Sequence, residues 1–314
     1  MKVKVWAISD LHVRFSENRT LLESVSAHPD DWLILGGDLG EGADDLHFVF
    51  RALAPKFARL LWVPGNHELW TIPGEAPELR GEAKYQHLVS LCHEYGVLTP
   101  EDPYPEWPDE DRRVGAPADP DKQASYTLSD AISDVRARSV SSPRRLVLAP
   151  LFLLYDYSFR PDDVTQARAV DWAADAGLAC TDEALLHPDP HPNIPAWCAA
   201  RCKYSEQRLR DSAKDADTIL VNHFPLKYKH TWLLRMPRFS IWCGTRRTED
   251  WAERFRARVA VYGHLHIRRT HVEDGVRFEE VSLGYPRQWL RDHPADAYLR
   301  QIWPPPAPHT DYHG

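Results

Sequence analysis

Cysteine is scarce and odd in number: Cys92, Cys180, Cys198, Cys202 and Cys243 are the five in 314 residues. Their scatter excludes the dense, even framework of a small disulfide-stapled domain, and reduced thiols are expected. Long apolar runs are missing too. The longest, Leu146 to Tyr155, is broken by Pro150, whereas a membrane span needs about 18–20 such residues, so no transmembrane helix and no membrane partner are expected. Positive charge is in deficit, with 38 Lys and Arg against 46 Asp and Glu for a formal charge of -8. Neutralising phosphates takes a basic surface, so a protein that coats nucleic acid is disfavoured. The first residues, Met1 to Asp10, alternate like a strand and reach a carboxylate too early for a signal-peptide apolar region. What remains, with 43% hydrophobic and 27% charged residues, reads as a soluble cytoplasmic protein long enough to bury a sizeable core.

Short strand-like runs at Val3–Ser9, Trp32–Leu35, Leu60–Val63, Thr218–Val221 and Val259–Tyr262 are each followed at once by polar or glycine-rich sequence. Helix-compatible stretches, Arg19–Ala27 and Ala43–Lys56, separate the first three, giving the order β-α-β-α-β of a layered α/β fold. Arg268–Glu273 and Val276–Ser282, joined by Asp274-Gly275, predict a hairpin and hence a mixed or second sheet. A further helix is expected over Ala196–Asp211. The stretch from about 100 to 145, rich in proline, acid and serine, reads as an insertion or lid. Residues 1–300 are thus expected to form a single domain, with a proline-rich tail over 301–314.

Chemistry concentrates at the strand ends. Asp10-Leu11-His12 places two ligand types two residues apart, which in extended chain would face the same way. Gly36-Gly37-Asp38 sets a carboxylate beside residues without side chains, where a ligand can come close. Asn66, His67 and Glu68 crowd a third loop, and His223, then His264 and His266, end two later strands. Any one of these is more often a turn carboxylate or a solvated histidine. Five such ends in chain order are not explained that way. Imidazole and carboxylate donors without thiolate suit Mn²⁺, Fe or Zn²⁺ better than Mg²⁺.

The ordered blocks Asp10-x-His12, Gly37-Asp38, Gly65-Asn66-His67-Glu68, His223 and Gly263-His264-x-His266 resemble the calcineurin-like metallophosphoesterase superfamily over about residues 3–290. That resemblance implies an α/β, four-layered αββα sandwich of two mixed β-sheets flanked by helices. It also implies that Asp10, His12 and His266 bind one metal, that Asn66, His223 and His264 bind the other, and that Asp38 bridges them. His67 would then serve the leaving group, with Glu68 orienting it. Two divalent ions against the charges of Asp10 and Asp38 would leave a cationic site that suits a phosphate, and the resemblance implies a metal-bridging hydroxide attacking phosphorus in line.

The substrate is a separate question. The run Gly37-Asp38-Leu39-Gly40-Glu41-Gly42 lacks the Asp-Arg-Gly of protein Ser/Thr phosphatases. Asp30 to Ile34, Trp62 to Thr71, Phe152 to Phe159, Trp242 to Thr245 and Phe278 to Arg287 are similar to the actinobacterial 4′-phosphopantetheinyl hydrolase branch, which implies a phosphodiesterase acting on holo-acyl or peptidyl carrier proteins. Thr218 to Thr248 contains no Asp or Glu and includes Arg235, Arg238, Arg246 and Arg247, interleaved with aromatics. Either these residues form an ordinary solvated face or they meet an acidic carrier protein. A phosphatase or phosphodiesterase for a small phosphorylated metabolite is the alternative enzyme, and a metal-free interaction scaffold the alternative outside catalysis. His187, His191, Cys198 and Cys202 make a poor zinc site, because prolines break the histidine pair. Trp32, Trp62 and Trp172 read as packing residues.

Overall fold

The computed structural model describes residues 3–74, 77–108, 144–289 and 292–306. Most of the expected 100–145 insertion therefore lies outside the described residues. Chain order runs β1 (Val5–Ile8), α1 (Ser16–Glu23), β2 (His28–Leu35), α2 (Ala43–Leu53), β3 (Phe57–Trp62), α3 (Asn66–Leu69) and α4 (Gly81–Glu94). It continues through β4 (Arg145–Pro150), α5 (Ala169–Ala174), α6 (Asp182–Leu185), α7 (Ile194–Ser212), β5 (Ala216–Val221) and α8 (Trp251–Arg254). The last strands are β6 (Ala257–Tyr262), β7 (Arg269–Glu273), β8 (Val276–Glu280) and β9 (Arg300–Trp303).

Two mixed sheets form, ordered β3-β2-β1-β9 and β4-β5-β6-β8-β7. Within them β1, β2 and β3 are mutually parallel, as are β4, β5, β6 and β8, while β9 and β7 run antiparallel to their neighbours. Side-chain alternation explains the layering. Val5, Ala7, Trp32, Ile34, Leu61 and Val63 point from the first sheet onto Leu148, Ile219, Val221, Val259 and Val261 of the second. The intervening residues Leu33, Leu35, Leu60 and Trp62, with Leu220, Ala260 and Tyr262, join the cluster that holds the helices. The outcome is helix, sheet, sheet, helix.

Helix α2 shows how an outer layer is held. Leu46, Val49, Phe50 and Leu53 recur on one buried face, Asp44 and Asp45 occupy the first turn, and Arg51 the last, as the helix dipole favours. At the other margin, β9 corrects the expected tail: Arg300 to Trp303 pair with β1, so the sheet runs beyond residue 300. Residues at the start of the expected insertion are also part of the fold. Trp107 N donates to Leu146 O at 2.8 Å, and its ring meets Trp32 edge-on at 5.4 Å.

Candidate metal centre

Parallel strands put their carboxyl ends on one edge, and a bridge between Ser9 and Ser282 draws the edges of the two sheets together. The five polar strand ends meet there. Asp10 (φ 53°), His12 (φ 41°), Asp38 (φ 52°), His264 (φ 69°) and His266 (φ 53°) all have left-handed backbone. Non-glycine residues visit that region rarely and at a cost, and such strain gathers at functional sites. The extended-chain argument for Asp10 and His12 is therefore corrected, since each chain turns sharply as it leaves its strand. Glycine permits the close approach between loops: a Cβ on Gly65 would lie 2.0 Å from Asp38 Oδ1, and one on Gly37 2.7 Å from His223 Nδ1.

Two groups of donor atoms result, Asp10 with His12 and His266, and Asp38 with His223 and His264, each set lying within 4.8 Å. His67 comes within the same distance of His12 and Asp38. Asp10 Oδ2 accepts from Ser9 Oγ at 2.6 Å and Ser282 Oγ at 2.8 Å, and His264 N donates to the same carboxylate. His266 Nδ1 faces Gln288 Oε1 at 2.8 Å, and His223 Nδ1 faces the carbonyl of Gly36 at 2.9 Å. An oxygen with no proton to give requires N–H on the facing nitrogen, so each ring keeps its Nε2 lone pair for the centre.

Metal fit can be tested on what this centre leaves unpaired. His223 Nε2, His264 Nε2 and Asn66 Oδ1 are buried without a hydrogen-bond partner, and His12 Nε2 and His266 Nε2 point at each other across 3.1 Å. Buried polar atoms ordinarily find partners. Lone pairs converging from both sheets fit cations, and the nitrogen and oxygen donor set suits transition metals. Burial holds the His12 and His264 imidazoles down to about 3, keeping them neutral as ligands must be. Burial opposes charge on His223 and His266 as well, but Asp38 and Asp10 outweigh it and lift them to about 10 and about 9. The carboxylates stay well below their usual range despite burial, drawn down by those same imidazoles. The pocket demands positive charge, which bound ions would supply.

His67 packs against Trp70 with ring centroids 3.7 Å apart. Glu68, expected to orient it, instead points inward and accepts from three backbone N–H groups: Asp38 at 3.0 Å, Leu39 at 2.7 Å and Gly65 at 2.9 Å. That expectation is corrected, and the carboxylate beside His67 Nδ1 is Glu41, at 3.9 Å. A cavity of about 590 Å³ opens next to His12 and His67, walled by Phe15, Trp70 and Tyr285 with Arg14 and Arg287 at its margin. Ser9, Glu41, Asp182, Ser282 and Gln288 complete the surroundings. Asp182, Ser282 and Gln288 carry no spacing signal in the sequence, because the residues they meet lie far along the chain.

The arginine quartet disperses. Arg238 donates to Trp172 O and lies over that ring, Arg246 donates to Ser158 O and Arg160 O, and Arg247 pairs with Asp156 at 3.5 Å. Glu253 and Glu273 neutralise Lys227 in the same stretch. Acid from other elements therefore fills the acid-free run. Arg235 is exposed, beside Trp232 (67% exposed) and Leu234 (82%). Among the described residues, His187, His191, Cys198 and Cys202 do not gather into a ligand cluster. Trp62 is fully buried and Trp32 nearly so, as packing residues should be. No helix among the described residues is long and apolar enough to cross a membrane.

Comparison with known proteins agrees with this geometry. The family model described as Calcineurin-like phosphoesterase matches residues 3–133. A protein named [Acyl-carrier-protein] phosphodiesterase PptH, from Mycobacterium tuberculosis, is 42% identical over 304 residues, covering 96% of this chain and 84% of that one. The crystal structure of Phosphopantetheinyl Hydrolase (PptH) from Mycobacterium tuberculosis superposes with a TM-score of 0.82 at 41% identity, covering 97% of each chain. With two mixed sheets, donor clusters at their shared edge and near-complete coverage by such a relative, the chain belongs to the calcineurin-like phosphoesterase family, whose members hydrolyse phosphoesters.

Proposed function

We propose that this protein is a dinuclear metal-dependent phosphodiesterase that releases 4′-phosphopantetheine from a holo-acyl or peptidyl carrier protein in the cytoplasm. The observation that carries the substrate is the likeness, over 96% of this chain, to a protein named for hydrolysing an acyl-carrier-protein phosphodiester. Residues 1–303 act as one domain in this reading.

Asp10, His12 and His266 would hold one ion, Asn66, His223 and His264 the other, and Asp38 would serve both. Manganese and iron match the donor set best, with zinc next. When bound, such ions supply Lewis acidity at the phosphoryl oxygens and an activated water. His67, beside the centre and outside the ligand set, gives a proton to the departing alkoxide. Trp70 fixes the plane of that ring, and the aromatic cavity excludes water from the arm of the substrate. Among the arginines expected to meet the carrier protein, Arg235 keeps that role in this reading, supported by its exposure and by its lying on the same segment as Phe239, whose ring stacks on His264 at 6.1 Å.

Intact-mass spectrometry of holo-carrier protein incubated with the manganese-loaded enzyme tests the substrate. The carrier should revert to its apo mass as free 4′-phosphopantetheine appears. Holo-carrier protein left intact by an enzyme that cleaves small phosphoesters well would overturn this reading in favour of a small-metabolite phosphoesterase.

A further inference from the structure

We infer that Asp182 is a positioning residue of the metal centre: it locks the Asn66 carboxamide with its oxygen toward the ion and so sets the affinity of one of the two ion sites. This rests on the reading of Asn66 as a ligand. Asp182 opens the short helix α6 and is 1% exposed. It forms no ion pair with a described residue, so its hydrogen bonds must offset much of the cost of burying it. Its partners are two donors from the loop after β3. Asn66 Nδ2 donates to Asp182 Oδ1 at 2.9 Å, and Trp70 Nε1 donates to the same oxygen at 2.7 Å.

Those two bonds decide a question that the shape of an asparagine leaves open. The oxygen and nitrogen ends of a carboxamide are nearly the same size, and the neighbours determine which way it points. An indole nitrogen only donates, so Asp182 Oδ1 is an acceptor whatever else surrounds it. The Asn66 end that meets it must be NH₂. Asn66 Oδ1 is thereby turned to the other side, where it is buried and lacks a hydrogen-bond partner. Its neighbour His67 donates its backbone N–H to Asp38 Oδ1 at 3.0 Å, so this loop is already tied to the central carboxylate. Without Asp182 the carboxamide is free to rotate, and in half of its orientations NH₂ rather than oxygen would face a cation. The same carboxylate also fixes Trp70, the platform under His67.

The test is metal affinity rather than turnover. Full-length apo-protein is titrated with Mn²⁺ against a chromophoric chelator, for wild type, Asn66→Ala, Asp182→Ala and Asp182→Asn, with circular dichroism as the check of folding. Wild type should show two sites. Asp182→Ala should weaken one of them by about 10–100-fold, the usual effect of losing a partner of a ligand, and leave the other unchanged. Asp182→Asn keeps an acceptor oxygen for both donors and should recover most of the loss. Asp182→Ser, too short to reach Asn66, gives the same reading if the alanine variant does not fold. Wild-type affinity at both sites in folded Asp182→Ala, or equal impairment in Asp182→Ala and Asp182→Asn, overturns the inference. If Asn66→Ala itself leaves both affinities unchanged, the ligand reading fails and the inference falls with it.

Discussion

At the level of single residues, the proposed function separates chemistry from metal binding at His67. Its ring lies 3.8 Å from Asp38 Oδ2 and 4.8 Å from the His12 ring, close enough to serve a substrate held there. His67→Ala should keep its metals and lose about 10²–10⁴-fold in turnover on an alkyl phosphodiester, the scale of removing a general acid. An aryl ester with a good leaving group needs no proton and should suffer less. Parallel kinetics on the two substrates, with elemental analysis of the variant, check this; equal losses or a lost metal contradict it. The motif residues were legible in the sequence because each follows a strand-like run. Gln288, Ser282 and Asp182 were not, because their contacts reach 22, 272 and 116 residues along the chain. The role expected of Glu68 failed for a related reason: adjacency to His67 suggested a partner, whereas the one-turn helix α3 sends neighbouring side chains in different directions.

Among the elements, the loops after β2 and β3 are fastened by Glu68. Both its oxygens accept backbone N–H groups, two from the loop after β2 and one from its own loop. Glu68→Gln would set an NH₂ against those donors, and each stranded buried group costs about 1–3 kcal/mol. The denaturant midpoint of Glu68→Gln should therefore fall, with weaker metal binding because the fastened loops carry Asp38 and Asn66. An unchanged midpoint contradicts this role. Strands β1 to β3, β5 and β6 were foreseeable from alternation and from the polar residues that end them. Helix α4 carries a blurred signal, since its buried positions include Gly81 and Lys84 beside Tyr85, Leu88 and Val89. Strand β9 is short and polar, with Arg300 and Gln301, and its partner β1 lies at the far end of the sequence. How the basic run after β5 is answered could not be read from the sequence because ion pairing is tertiary: the acids that meet Lys227 and Arg247 come from α8, β7 and the loop after β4.

Across the whole molecule, the two sheets cooperate in one centre. Asp10, His12, Asp38 and Asn66 leave the first sheet, and His223, His264 and His266 leave the second. Asp38 stands where the groups meet, with His223 Nε2 3.4 Å from its Oδ2 and His67 N on its Oδ1. Under the proposed function, metal binding would be shared across the interface between layers, with Asp38 coupling the two sites. Counting metal per chain in purified, manganese-reconstituted protein tests this most directly, comparing wild type with Asp38→Asn by elemental analysis. Two ions are expected in wild type and less than one in Asp38→Asn, because both sites lose their shared charge together. One ion in wild type, or two retained by Asp38→Asn, would contradict it.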